Sequence, residues 1–165
     1  MSKVYFVSDL HLGHKNICAY RTQFSSHQEH DSFVLENILS CGGKRNTLWM
    51  LGDCFFSEDS YDSLEEISKA YMQVNWVLGN HDTDNAQRMN NVKRAIKEDL
   101  INKIGSLFKY KGYWLSHAPV HPDELRGGRN IHGHVHNNLI VGDDRYIAVC
   151  LEQTNYKPIA FEDIK

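Results

Sequence analysis

The sequence predicts an α/β fold with a mixed or two-sheet core, on three observations. Short apolar runs alternate with amphipathic polar stretches in the first part of the chain, each run is continuous rather than alternating, and past residue 100 strand-like segments follow one another across turns. Val4–Val7 opens the series, followed by runs at 47–51 and 74–78, all brief and rich in β-branched or aromatic residues, as buried strands are. His27–Ser40 reads as a helix with Phe33, Val34 and Ile38 on one side, ending before Gly42 and Gly43, a pair suited to a helix C-terminus. Segments 60–72 and 85–100 read as helices in the same way. Strand, helix, strand, helix in succession, with wholly apolar strands, implies a largely parallel sheet whose faces are covered. Beyond it, 104–110, Tyr113–Ser116, 139–141 and 146–151 are expected as strands, joined by turns such as Lys111-Gly112.

With 165 residues, 18 Lys and Arg against 21 Asp and Glu, and 41% apolar residues, the chain has room for one core, and residues 1–165 are expected to form one domain. No apolar stretch approaches the roughly 20 residues of a membrane span. Asp9 interrupts the start before a signal-peptide core can form, so a cytoplasmic protein with no membrane contact is expected. Cys18, Cys41, Cys54 and Cys150 are scattered without a C-x-x-C pair and are expected to be reduced thiols. A net charge of -3 argues against avid nonspecific DNA binding. The unusual feature is histidine, which occurs ten times.

Function begins where each strand stops. The first run leads into Asp9, the second into Gly52-Asp53 and the third into Gly79-Asn80, so three oxygen donors sit just past strand carboxyl ends, the edge where open α/β sheets bind ligands. Taken singly, each acid or amide would only cap a turn. Histidines change this. Asp9 and His11, and His134 and His136, are spaced to point the same way along extended backbone, while His117 follows the strand ending at Ser116 and His81 follows Asn80. Asp9, His11, Asp53, Asn80, His117, His134 and His136 make seven oxygen or nitrogen donors with no thiolate, too many for one tetrahedral metal and suited to two cations sharing a bridge. A carboxylate can offer separate oxygens to both, and Asp53, central in the order, is the expected bridge.

In this order and spacing, Asp9-x-His11, Gly52-Asp53, Gly79-Asn80-His81-Asp82, His117 and Gly133-His134-x-His136 resemble the calcineurin-like metallophosphoesterase superfamily, from residue 5 to about 136. The tail through Tyr156-Lys157-Pro158 is similar to the last strands of its small members. The resemblance implies a four-layer α/β/β/α sandwich of two mixed β-sheets flanked by helices. It assigns one metal to Asp9, His11, Asp53 and His136, the other to Asp53, Asn80, His117 and His134, and makes His81 the histidine facing substrate. Manganese is the metal it favours, with Fe, Zn, Co or Ni compatible with the same donors. Two such ions activate a water between them for attack on phosphorus. His81 is placed to touch a phosphoryl oxygen or protonate the leaving group, with Asp82 or an early-chain acid to orient its ring.

The remaining candidates are outlying. His14, in Gly13-His14-Lys15-Asn16, is near enough to Asp9 and His11 to line the site mouth, and Arg126 or Arg129 could pair with a phosphate. His27 and His30 read as the polar approach to a helix, and Cys54 as a small buried hydrophobe. Arg88, Lys93, Arg94, Lys97, Lys103, Lys109 and Lys111 form a cationic stretch that suits a solvated face as well as a nucleic-acid groove. The second acid motif reads Gly-Asp-Cys-Phe-Phe and the third ends in Asp82, unlike the phosphoprotein phosphatases of the superfamily, and there is no length for the caps of its repair nucleases. What is left resembles cap-less phosphodiesterases of small nucleotide-type or cyclic nucleotide diesters. A nuclease is the disfavoured alternative, and so is a non-catalytic scaffold, which loss of His81 or of several donors would mark.

Overall fold

A computed structural model describes residues 2–164 as two mixed β-sheets with helices, an α/β architecture. In the first sheet β1 (Val4–Val7), β2 (Gly43–Met50), β3 (Tyr71–Val77) and β4 (Lys103–Gly105) run parallel. The short β9 (Ile159–Ala160) lies antiparallel beside β1, giving the order β4-β3-β2-β1-β9. The second sheet has the order β5-β6-β7-β8, with β5 (Leu107–Tyr110) antiparallel to β6 (Tyr113–Ser116), and β7 (Arg129–His132) and β8 (Tyr146–Ala148) parallel to it. The sheets meet at one edge, where Ser8, just past β1, donates its N–H to Val149 O, just past β8, at 3.0 Å. The carboxyl ends of β1, β2, β3, β6 and β7 all lead into the same region.

Helix α1 (His27–Ser40) starts where the sequence places it because the Ser26 hydroxyl accepts from Glu29 N–H at 3.1 Å, and α3 (Ala86–Lys97) is capped by the Asn85 side chain in the same manner. Between them lies α2 (Asp62–Ala70). Val34, Ile38, Leu64, Ile67, Val92 and Ala95 bring all three helices to one core on the five-stranded sheet. A second core, Phe6, Trp49, Leu51, Val77, Leu115, Ile131 and Val149, fills the space between the sheets. The outer face of the second sheet is covered by loop 117–128, whose Val120 carbonyl accepts from Tyr146 OH at 2.6 Å and which holds a single 3-10 turn, Pro122–Glu124. The helical flank is thus concentrated on the first sheet.

Several boundaries move for packing reasons. Tyr71 begins β3 instead of extending α2, because its buried ring joins the helical core and its hydroxyl donates to Ile38 O at 2.7 Å. Gly42 and Gly43 take no left-handed turn; Cys41 ends α1 and Gly43 already belongs to β2. Segment 104–110 breaks at Ser106 into β4 and β5, one in each sheet. Residues 139–141 are not a strand: they belong to no ladder, and Val141 is 93% exposed. β7 has no counterpart in the apolar pattern because only Ile131 is apolar; Asn130 is fully buried through bonds from its amide to Trp114 O and Ser116 Oγ. His30 is no surface residue. It is fully buried, with Nε2 accepting from Arg21 at 2.8 Å and Nδ1 facing Asp31 Oδ1 at 2.8 Å. No helix among the described residues is long and apolar enough to cross a membrane.

Candidate metal centre

At the common edge the strand ends bring two groups of donors together. Atoms of Asp9, His11 and His136 lie within 4.8 Å of one another, as do atoms of Asp53, His117 and His134. Asn80 joins the second group, its Oδ1 3.1 Å from His117 Nε2. The local backbone achieving this is not extended. Asp9, His11, Asp53, His134 and His136 all have positive φ, between 48° and 72°, a left-handed conformation that costs a non-glycine residue about 1 to 2 kcal/mol. Such outliers gather where an arrangement of side chains matters more than local stability. Gly52 turns at φ 93° and leaves room for the His117 ring, and at Gly79 a Cβ would collide with the Asp53 carboxylate, so the two glycines make room for one donor each.

Whether divalent cations fit is decided by the lone pairs. His117 Nδ1 lies 2.8 Å from Leu51 O and must donate to it, so in the neutral ring Nε2 is bare. That nitrogen faces Asp53 Oδ2 at 3.3 Å, Asn80 Oδ1 at 3.1 Å and His134 Nδ1 at 3.2 Å. His136 repeats the pattern: Nδ1 donates to Glu152 Oε1 at 2.9 Å, leaving Nε2 toward Asp9 Oδ1 at 3.5 Å. Asp9 Oδ1 and both His11 nitrogens are buried with no hydrogen-bond partner. Converging acceptors without protons to share, several of them orphaned, suit a pair of cations well. With no cation present, burial pulls the His117 imidazole down, but Asp53 and then Asp9 outweigh it and push the group up to about 9. Burial likewise opposes ionisation of Asp9, yet the His11 imidazole 3.9 Å away and the charges of His117 and His136 hold it well below the carboxylate range.

Around the donors stands a supporting layer that no motif announces. Arg21, 2% exposed, donates to the carbonyls of Asp9 at 2.7 Å and Leu10 at 3.3 Å and to Glu152 at 2.9 Å, and Glu152 holds His136. Asp82 does not orient His81. It accepts from Asp53 N–H, Cys54 N–H, Gly79 N–H and Trp76 Nε1, and so ties two donor loops together. The acid beside His81 is Asp84, with Oδ2 at 2.8 Å from Nδ1; it also takes Arg88 Nη1 at 2.8 Å. His81 and His14 line a cavity of about 660 Å³ beside the first donor group, together with Tyr20, Phe56, Arg88, Asn137 and Asn138. Arg126 and Arg129 do not line it. Arg126 sits on the exposed loop paired with Glu124, and Arg129 reaches Asp144 O and the Tyr113 ring at the opposite end of β7 from His134.

Glu152 yields a pH test. Burial raises it, but His136 and Arg21 prevail and lower it from 4.5 to about 2. A carboxylate lowered on folding stabilises fully above its ordinary value and loses that contribution as pH falls toward the folded one, roughly 3 kcal/mol here. Glu152→Gln is expected to flatten the fall in unfolding free energy between pH 4.5 and 2, measured by urea titration of metal-free protein. An unchanged slope would refute this role.

A two-sheet α/β frame carrying paired oxygen and imidazole donors at its strand ends defines a class of metal-dependent hydrolase. The chain matches the family described as calcineurin-like phosphoesterase over residues 2–156 and belongs to it, which makes metal-dependent phosphoester hydrolysis its class of reaction. It is 27% identical over 176 residues to an uncharacterized protein of Methanocaldococcus jannaschii, spanning 98% of this chain and 89% of the relative. It is also 27% identical over 167 residues to the gene 66 protein of Mycobacterium phage L5, spanning 86% and 81%. A solved structure of a protein of unknown function from Aquifex aeolicus superposes with a TM-score of 0.70 at 27% identity, covering 99% of this chain and 98% of that one.

Proposed function

We propose that the protein is a phosphodiesterase of small nucleotide-type or cyclic nucleotide diesters, using two divalent cations held by Asp9, His11, Asp53 and His136 and by Asp53, Asn80, His117 and His134. The observation that carries it is the convergence of oxygen and imidazole donors in two groups, Asp9, His11 and His136 in one and Asp53, His117 and His134 in the other. When bound, the two ions lower the pKa of a water and neutralise phosphoryl charge. Manganese suits this oxygen and imidazole set, which lacks thiolate.

The protein's own groups do the rest. Asp53 and Asp9 stay ionised, and His117 and His136 are fixed in the tautomer that leaves Nε2 unprotonated by Leu51 O and Glu152. His81 projects from the loop after β3, its Nδ1–H donating to Asp84 Oδ2 at 2.8 Å, so the doubly protonated ring passes its Nε2 proton to the departing ester oxygen and is left as the neutral Nδ1–H imidazole. Its backbone N–H is bonded to Asp53 Oδ1 at 2.9 Å, which ties the proton donor to the central acid. The open cavity admits a small diester. Five cations of the stretch 88–111 are drawn to separate rings, Arg88 to Phe56, Arg94 to Tyr61, Lys103 to Trp49, Lys109 to Trp114 and Lys111 to Tyr110, which favours a small substrate over a nucleic-acid groove. The free cysteines fit a reducing, cytoplasmic setting.

The test is a metal-reconstituted screen of phosphate monoesters, linear diesters and 2′,3′- and 3′,5′-cyclic nucleotides, with and without chelator. Chelator should abolish turnover. His81→Ala should keep metal content by elemental analysis while kcat falls roughly 10²- to 10⁴-fold. Diester turnover unaffected by both would sink the proposal.

A further inference from the structure

Beside the donors, the cavity has an outer compartment with an aromatic wall. From the first donor group outward, His11 stacks on Phe56 with ring centroids 4.5 Å apart, Phe56 meets His14 at 4.9 Å, and His14 lies nearly parallel to Tyr20 at 6.2 Å, 22° between planes. Tyr20, the last ring, is 78% exposed, an unusual state for a large aromatic side chain. Its backbone is nonetheless fixed: Tyr20 N–H donates to Ile17 O at 2.9 Å, and Arg21 beside it is locked by the carbonyls of Asp9 and Leu10. A ring anchored through its backbone at the mouth of a catalytic cavity, with His14 nearly parallel to it, is a surface for another ring. Across the same cavity stand Asn137 and Asn138. Asn137 Oδ1 accepts from Gln153 Nε2 at 3.2 Å, which turns its amide nitrogen the other way as a donor.

We infer that this outer compartment holds the heteroaromatic base of the substrate, stacked on Tyr20 and met at its edge by Asn137 and Asn138. Tyr20 is thereby the residue that selects nucleotides over other diesters. The inference rests on the phosphodiesterase reading and deepens it. Base and aromatic ring stack through their π faces whatever the base, so the compartment recognises a nucleobase without choosing strongly among the four. Tyr20 touches no donor group and takes no part in the chemical step.

The experiment compares wild type, Tyr20→Ala and Tyr20→Phe on a 2′,3′-cyclic nucleotide and on glycerol cyclic phosphate, a diester of the same strained type with no base. Tyr20→Ala should raise KM for the nucleotide roughly tenfold with kcat within about twofold, leave kcat/KM for the glycerol diester unchanged, and be rescued by Tyr20→Phe, which keeps the ring. Equal effects on both substrates, no effect on either, or failure of the phenylalanine rescue would overturn the assignment. Calorimetric binding of AMP against ribose 5-phosphate to the metal-loaded protein reads the compartment without turnover. Preference for AMP that Tyr20→Ala removes supports the assignment even if no diester is hydrolysed, a result that would sink only the phosphodiesterase reading; no preference overturns it.

Discussion

Asp53→Asn is expected to lower kcat/KM for a diester by roughly 10³-fold or more and to cost at least one equivalent of bound metal, with little change in fold. The substitution keeps the shape of a side chain that is 2% exposed. What it removes is the negative charge. One oxygen accepts from His81 N–H at 2.9 Å and the other faces His117 Nε2 at 3.3 Å, so an amide that keeps the first bond turns its NH2 toward the imidazole lone pair and occupies the nitrogen that a cation would need. Cations held close together need a shared anion to offset their repulsion, and a metal's contribution to transition-state charge is several kcal/mol, a factor of ten for each 1.36. Metal analysis, circular dichroism and kinetics on one preparation check it. Full metal content with parental turnover would dismiss Asp53 as the bridge.

The second large effect concerns folding. Asp82→Ala strands four donors in the interior: Asp53 N–H at 2.9 Å, Cys54 N–H at 2.9 Å, Gly79 N–H at 2.7 Å and Trp76 Nε1 at 3.2 Å. Each buried donor left without a partner costs about 1 to 3 kcal/mol, so a loss of about 4 kcal/mol or more is expected, lowering Tm by roughly 8 to 16 °C. Burial and the charge of Asp53 oppose the charged form of this acid and outweigh the backbone donors that favour it, pushing it up to about 6, which makes it an unpromising residue to keep unless its bonds matter. Scanning calorimetry of the metal-free variant separates this from a metal effect. A shift of only a degree or two would mean that the loops after β2 and β3 hold themselves.

The sequence shows the donors and conceals their support, for a physical reason. Asp9, His11, Asp53, Asn80 and His117 are legible because acids, amides and imidazoles recur just past apolar runs, His134 and His136 because they form a spaced histidine pair, and the strands β1, β2 and β3 stand out by composition. Their geometry was misjudged: alternation along extended backbone was expected to aim Asp9 with His11, whereas left-handed turns do it. Arg21, Glu152 and Asp84 leave no local pattern, since each works through a partner fixed only by the fold; Arg21 and Glu152 are 131 residues apart. Phe56 and Tyr20 could be seen as aromatic but not as neighbours of one cavity. β7 was hidden because its interior position is filled by an amide with internal partners, not by a hydrocarbon.

Five left-handed residues at the clasp carry a last consequence. Glycine at any of them would relax the backbone and, by that measure alone, give a sturdier molecule, yet it would delete the group for which the turn exists. Robustness and reactivity are set against each other at these positions, so selection for heat resistance alone would erode the centre first.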